Sequence, residues 1–107
     1  MVNVCIKLIA RPDKKLELEQ VIKTVSKIIE LENGCLGCRI YQSLEQANEY
    51  VVLQEWNDEN AVRNHLQSDN LAVLSGTGSL LTQEVIVSLD KYASLSKIEK
   101  SFQKRLV

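Results

Sequence analysis

The residue of this chain best suited to acid–base chemistry is its single histidine. His65 is the only histidine among 107 residues, and it lies in helical phase with Ala61 and Val62, which predicts that its ring points inward. An imidazole exchanges a proton near neutral pH with little tuning. We therefore take His65 as a candidate general base. The alternative is a core histidine whose ring nitrogens are satisfied by neighbouring groups.

Two of the three cysteines form a C-x-x-C motif. With Cys5 and His65, the pair Cys35 and Cys38 could in principle form a zinc site. The motif lies at the start of an alternating strand pattern, however, and residues three apart on a strand point to opposite faces unless the chain turns at Gly37. A thioredoxin-like pair would be followed by a helix. We expect buried thiols and no bound metal, with redox sensing as the alternative.

Aromatic and polar side chains could line a pocket for a small planar ligand. Trp56, Gln54 and Tyr50 share one face of a predicted strand, and Tyr41 and Arg39 share a face of the neighbouring strand. An apolar space between sheet and helices with a few polar groups is a typical ligand site. The glycine-containing segment 75–79 is only superficially similar to a phosphate loop, because it lacks a preceding strand and a Lys-Ser/Thr pair.

Hydrophobic periodicity places these residues on six elements. Strands are predicted over 2–10, 35–42, 50–56 and from Glu84 to about Lys91, and helices from about Leu16 to Leu31 and from about Ala61. The second helix is expected to continue irregularly through Leu71, Leu74 and Leu80. The apolar residues predicted to recur at helical spacing in the first helix are Leu16, Val21, Ile22, Val25, Ile28 and Ile29.

Capping residues mark the start of both predicted helices. Asp13 is expected to cap the first, and Asn57-Asp58 the second. Gly34 follows the first helix and tolerates a left-handed turn.

The order β-α-β-β-α-β predicts an α+β, ferredoxin-like fold with a four-stranded antiparallel sheet and both helices on one face. The other face would still carry apolar residues, namely Ile9 or Leu8 together with Val51 and Leu53, or their alternates along the strands. A bare apolar sheet face is an association surface. We therefore expect a homodimer formed through the sheet faces.

Composition limits the remaining classes. The hydrophobic fraction is 45%, and thirteen Lys and Arg against fourteen Asp and Glu give a net charge of -1, which disfavours nucleic acid as a partner. No membrane span or export leader is recognised, so we expect a cytoplasmic protein. Residues 1–92 are predicted to form one domain. The tail 93–107 is predicted to be a short amphipathic helix packed on the domain or the partner subunit, with contact to a membrane surface as the alternative.

Four sequence blocks are similar to a known family. They are Glu32-Asn-Gly-Cys-Leu, Tyr41, the block from Glu55 to Ala61, and His65-Leu-Gln-Ser. Together they resemble the antibiotic biosynthesis monooxygenases, small dimeric α+β barrels, over about residues 2–92. That superfamily includes cofactor-free monooxygenases of quinols and anthrones, heme-degrading enzymes and aldehyde-signal modifiers. The heme-degrading branch does not fit, because His65 stands where its pattern has tryptophan and Ser75 where it has the heme ligand.

The resemblance implies a cofactor-independent monooxygenase that acts on a small quinol-like or anthrone-like aromatic substrate. His65 would act as the base, Trp56 and Tyr50 as pocket walls, and Asn3 or Arg39 as partners of the developing oxyanion. Tyr41 would also contribute to substrate binding. The alternative is a non-catalytic dimeric binding or interaction module, because the aromatic-histidine pair that many relatives carry is replaced here by Asp69-Asn70-Leu71.

Overall fold

The computed structural model describes residues 1–68 and 80–90. In chain order these form β1 (Val2–Ala10), α1 (Lys15–Ile29), β2 (Cys35–Gln42), β3 (Glu49–Trp56), α2 (Glu59–Leu66) and β4 (Thr82–Asp90). The strands form one antiparallel sheet in the order β2-β3-β1-β4. The predicted ferredoxin-like fold is confirmed. Helix α2 ends at Leu66, and Leu80, which was expected on its irregular continuation, is exposed. The rest of that predicted continuation, at Leu71 and Leu74, and the predicted tail helix lie outside the described residues.

The core lies between the helices and one face of the sheet. The even-numbered residues of β1, from Val2 to Ala10, are buried there with their partners on β3. In α1 the buried stripe contains Leu18, Ile22 and Ile29. Neither helix within residues 1–68 and 80–90 has the length and apolar character needed to cross a membrane.

The prediction for α1 was wrong in two details. Leu16 and Ile28 are 74% and 46% exposed, because the buried stripe is centred near Ile29. Ile28 lies about 100° and Leu16 about 140° around the helix from the centre of that stripe. Asp13 does not cap the helix. The N-cap residue is Lys14, which makes no side-chain capping bond, and its backbone N–H donates to the carbonyl of Arg11 at 2.9 Å.

The turn between α1 and β2 is fixed by Gly34. Its φ of +90° lies in the left-handed region, as predicted, and a methyl group at this position would lie 2.5 Å from the Cβ of Ala61. The carbonyl of Gly34 also accepts a hydrogen bond from the backbone N–H of Asn57 at 2.8 Å. The turn that follows α1 is therefore held directly against the start of α2.

A β-bulge changes the facing of the two cysteines. Cys35 pairs with Trp56 and Cys38 with Gln54, because the register shifts at Leu36, which is 57% exposed. The extra residue makes the two cysteines equivalent to positions two apart on a regular strand. Both pack on the helix side of the sheet. The regular alternation that would place them on opposite faces is therefore absent, and the irregularity lies next to Gly37, the position at which a turn was allowed for.

The sheet face opposite the helices is not bare at its centre. Asn3, Cys5 and Leu53 are at most 2% exposed within the single chain, which corrects the expectation of an open apolar surface. Apolar exposure is found towards the margins, where Tyr41 and Ile86 are 39% and 42% exposed.

Candidate active site

The rotation of α2 about its axis is set at its first turn. The side chain of Asp58 accepts a hydrogen bond from the backbone N–H of Ala61 at 2.8 Å, as the sequence predicted for this cap. When α2 begins at this cap, the side of the helix that contains Ala61, Val62 and His65 is buried. The ring of His65 therefore enters the protein interior.

His65 pairs with a carboxylate from the turn after α1. Its Nδ1 lies 2.8 Å from Oε2 of Glu32, and the two side chains are 0% and 20% exposed. Because a carboxylate only accepts hydrogen bonds, the Nδ1–H donates and the Nε2 of the neutral ring keeps its lone pair. Nε2 is buried and has no hydrogen-bond partner among the described residues.

Two opposing effects act on the basicity of His65. Burial disfavours the charged imidazolium and lowers the pKa, whereas the charge and hydrogen bond of Glu32 raise it. Burial is the larger effect, so the pKa of His65 lies below its ordinary value. At neutral pH the ring is therefore a neutral base oriented by a carboxylate.

Trp56 lies against the ring of His65. The ring centroids are 4.5 Å apart, with an angle of 29° between the planes. The indole Nε1 donates a hydrogen bond to Oε1 of Gln54 at 3.0 Å. Gln54 is fully buried, and its Nε2 has no partner within the described part of the chain.

A small cavity borders this cluster. Its volume is about 150 Å³, and it is lined by Val2, Val62, Leu66, Leu89, Glu59 and Arg63. Val62 and Leu66 lie on either side of His65 along α2, and Val2 is the β1 partner of Trp56. None of the predicted site residues is among the six that line the cavity.

The comparisons with known proteins agree with this architecture. A sequence model of the antibiotic biosynthesis monooxygenase family matches residues 1–73. The chain belongs to this family. No functionally curated protein matches the chain.

Several solved structures share the antibiotic biosynthesis monooxygenase fold with this chain. A Deinococcus radiodurans protein provisionally named an antibiotic biosynthesis monooxygenase is 18% identical, with 88% of this chain and 94% of that chain covered and a TM-score of 0.82. A conserved Methanosarcina mazei protein is 25% identical, with 86% and 92% covered and a TM-score of 0.78. Rv0793 from Mycobacterium tuberculosis is 20% identical, with 87% and 95% covered and a TM-score of 0.78.

This family member does not bring all of the predicted site residues together. His65 and Trp56 are in contact, whereas strand alternation places Asn3, Arg39 and Tyr41 on the sheet face opposite the helices. The sheet therefore separates these three residues from the buried ring of His65.

Tyr50 shares the sheet face of Trp56 but lies near the other end of β3. Six residues of strand correspond to roughly 20 Å, so Tyr50 does not border the His65 cluster. Its hydroxyl donates to Oε2 of Glu19 at 2.8 Å. Burial, followed by this hydrogen bond, raises the pKa of Tyr50 to about 12.

Sequence reasoning gave no site role to Glu32, and it placed Gln54 on the predicted pocket-lining strand face without a role in the chemistry. Glu32 begins the first block of the family resemblance, directly before the turn at Gly34, which was a usable signal. Gln54 is the aliphatic polar residue on the inward face of β3, which otherwise carries Tyr50, Val52 and Trp56. Buried polar side chains in such positions need partners, and this was the available sign.

The cysteines contribute little reactivity to the site. Burial raises the pKa of Cys35 and raises that of Cys38 to about 11, so both thiols are protonated at neutral pH. None of the three cysteines forms a disulfide. Within residues 1–68 and 80–90, no cluster of three or more His, Cys, Asp or Glu side chains could hold a metal ion.

Proposed function

We propose that this protein is a monooxygenase that oxidises a small hydroquinone with molecular oxygen, using His65 as the general base and no metal or flavin. The observation that carries the proposal is the buried Nε2 of His65, which has no partner in the described chain while Nδ1 is held by Glu32. A base presented in this way can take a proton from a phenolic hydroxyl. Membership of the monooxygenase family supports the same reaction class.

The substrate can supply all the electrons that the reaction needs. His65 takes a hydroxyl proton, and the resulting phenolate transfers one electron to O2. Superoxide and the semiquinone radical then combine to form a C–O bond at a ring carbon. Loss of the proton from that carbon with cleavage of the O–O bond leaves a carbonyl group and releases water. Hydroquinone and O2 thus become a hydroxyquinone and water, with no further reductant.

The cavity volume favours a single ring. The space of about 150 Å³ is lined by sequence neighbours of His65 on α2 and by the β1 partner of Trp56, and cavities of roughly this volume hold one benzene ring. A three-ring anthrone requires far more room. We therefore propose a monocyclic quinol rather than an anthrone as the substrate.

The second candidate function is a non-catalytic module that binds a small ligand. It is favoured by one observation, which is that His65 is 1% exposed and does not line the cavity. In this case a ligand would occupy the cavity without reaching the base.

Oxygen consumption distinguishes the two functions. We expect the protein to accelerate O2 uptake by a monocyclic hydroquinone, and His65→Gln to lower the rate by about 10²–10⁴-fold. Glutamine retains an N–H donor for Glu32 but provides no base. Asn64→Ala, an exposed change on the same helix, should leave the rate unchanged.

The product identifies the reaction. Isotope-labelled O2 should place one labelled oxygen atom in the quinone and the other in water, in the presence or absence of a chelator. An His65→Gln protein that folds normally and retains the full rate would remove His65 from the mechanism. Hydroquinone binding without oxygen uptake would favour the binding module.

We also propose a cytoplasmic homodimer formed through the sheet face opposite the helices. Its support is the apolar exposure at the margins of that face, at Ile86 and Tyr41. The three cysteines form no disulfide, which fits a reducing compartment. Light scattering should give the mass of two chains of 12.1 kDa. Ile86→Glu should shift the equilibrium towards monomer, whereas Leu44→Glu, in a fully exposed position, should not. A dilute wild-type monomer would refute the dimer.

A further inference from the structure

The orientation of the Gln54 amide is determined by Trp56. An indole N–H can only donate, so the carboxamide oxygen of Gln54 must face it at 3.0 Å. The NH₂ group consequently points away from the indole nitrogen. It is buried and has no partner among the described residues, although it can donate two hydrogen bonds.

The orientation of His65 is determined in the same way by Glu32. The carboxylate accepts the Nδ1–H at 2.8 Å, which leaves Nε2 as a hydrogen-bond acceptor. The two atoms without a partner, Nε2 of His65 and Nε2 of Gln54, belong to side chains that both contact Trp56. His65 stacks on the face of the indole, and Gln54 accepts a hydrogen bond from the indole nitrogen. The cluster therefore presents one unsatisfied acceptor and one unsatisfied donor around a single aromatic ring.

An acceptor and a donor on two side chains that contact the same indole ring together complement a hydroxyl group, which donates one hydrogen bond and accepts another. We propose that Gln54 is a substrate-binding residue whose NH₂ group donates to the oxygen of an aromatic hydroxyl while His65 Nε2 accepts its proton. This inference rests on the proposed function and names the substrate's recognition element. It assigns to Gln54 the oxyanion-donor role that the sequence had suggested for Asn3 or Arg39.

The surroundings of Gln54 make this role specific. Its register partners are Val4 on β1 and Cys38 on β2, both buried. In such surroundings an unpaired donor is costly, and a ligand that satisfies it gains more than it would at an exposed site. An analogue that lacks the hydroxyl leaves both polar atoms unpaired and is rejected.

Calorimetric titration with phenol and with anisole tests the proposal. Anisole has the same ring, but its methyl ether cannot donate a hydrogen bond. We expect wild-type protein to bind phenol at least tenfold more tightly than anisole. Gln54→Met should weaken phenol binding by about five- to tenfold and leave anisole binding unchanged. Gln20→Met, the same change at an exposed position of α1, should alter neither affinity.

A double variant separates this role from support of Trp56. Gln54→Met also leaves the indole N–H without its acceptor, and Trp56→Phe removes that N–H while retaining an aromatic ring. If Gln54 binds the hydroxyl, phenol should still bind weakly when both changes are combined. Recovery of phenol affinity in the double variant would show that Gln54 acts only by orienting Trp56 and would overturn the proposal.

Nuclear magnetic resonance of the wild-type protein provides a test that needs no substitution in the core. The side-chain amide proton signals of Gln54 should move on addition of phenol and not on addition of anisole. Unmoved signals in the phenol-bound protein would overturn the proposal.

The outcomes are independent of turnover. Binding of phenol that depends on Gln54 without oxygen uptake would refute the monooxygenase and retain this inference. Oxygen uptake that depends on His65, with a phenol affinity unaffected by Gln54→Met, would support the monooxygenase and refute this inference.

Discussion

Replacing Glu32 by glutamine isolates the effect of one negative charge on the base. The amide has the same length as the carboxylate, and its oxygen can still accept the Nδ1–H that now lies 2.8 Å from Oε2. The tautomer of His65 should therefore persist. The variant removes the charge that favours a proton on Nε2.

The size of the effect follows from the distance. Nε2 lies across the ring, roughly 5 Å from the carboxylate, and an effective dielectric constant of about 20 gives roughly 3 kcal/mol of attraction for a proton there. Water screens part of this interaction because the side chain of Glu32 is 20% exposed. We therefore expect the ratio of charged to neutral His65 at a given pH to fall by about ten- to a hundredfold.

A single histidine makes the measurement direct. The imidazole signals in a proton NMR titration belong to His65 alone. The wild-type pKa should lie below the ordinary value of 6.5 because burial outweighs Glu32, and the Glu32→Gln pKa should lie lower still. Glu45→Gln, with the same charge change in an exposed loop, should titrate like the wild type. Identical titrations of the wild type and Glu32→Gln would refute the electrostatic coupling described here.

Three further predictions concern stability and thiol reactivity. Gly34→Ala should lower the free energy of unfolding in urea by about 2–4 kcal/mol through backbone strain and the contact with α2. Gly37→Ala is the control, because nothing lies within 4 Å of an added methyl group there, and it should change the free energy of unfolding by less than about 0.5 kcal/mol. Equal effects of the two substitutions would contradict the close approach of Gly34 to Ala61. Cys35 and Cys38 should be alkylated by iodoacetamide far more slowly in the native state than in urea, because burial raises both pKa values; rapid native alkylation would support redox sensing instead. Neutral His65 should make its full contribution to the free energy of unfolding above pH 6.5. This contribution should decrease as the pH falls below 6.5, because the pKa of His65 is lower in the folded protein and the unfolded chain is therefore protonated first. A His65→Gln protein whose stability has the same pH dependence would contradict the lowered pKa.

The strands and helices were predictable because their signals are local. Period-two alternation marked β1 from residue 2 to residue 10, and the cap at Asp58 marked the start of α2. Helix rotation was harder to predict. Leu16 and Ile28 are apolar but exposed, because contact with the sheet, rather than residue type, selects which side of an amphipathic helix is buried.

The bulge at Leu36 was only partly predictable. Gly37 within the strand pattern is a sign of a bulge or turn, but a glycine does not by itself specify that a residue is inserted. The bulge reverses the facing of Cys35 relative to Cys38 that a regular strand would give.

The candidate site was only partly predictable, because its contacts join distant segments. Inward phase identified His65, but its partner Glu32 lies 33 residues earlier in the chain. That pairing requires the turn at Gly34 to pack against α2. Asn3 was assigned to the same site through the family resemblance, but the pleat of β1 directs it to the other face.

The stacking of Trp56 on His65 also gives the unmodified protein an optical reporter. The chain contains one tryptophan and one histidine. All indole fluorescence therefore comes from Trp56, whose ring centroid lies 4.5 Å from that of His65. Any compound that enters beside the pair, or any proton that binds the ring, alters the surroundings of that fluorophore. Libraries of small aromatic compounds can therefore be screened by intrinsic emission, without dyes, labels or a working turnover assay.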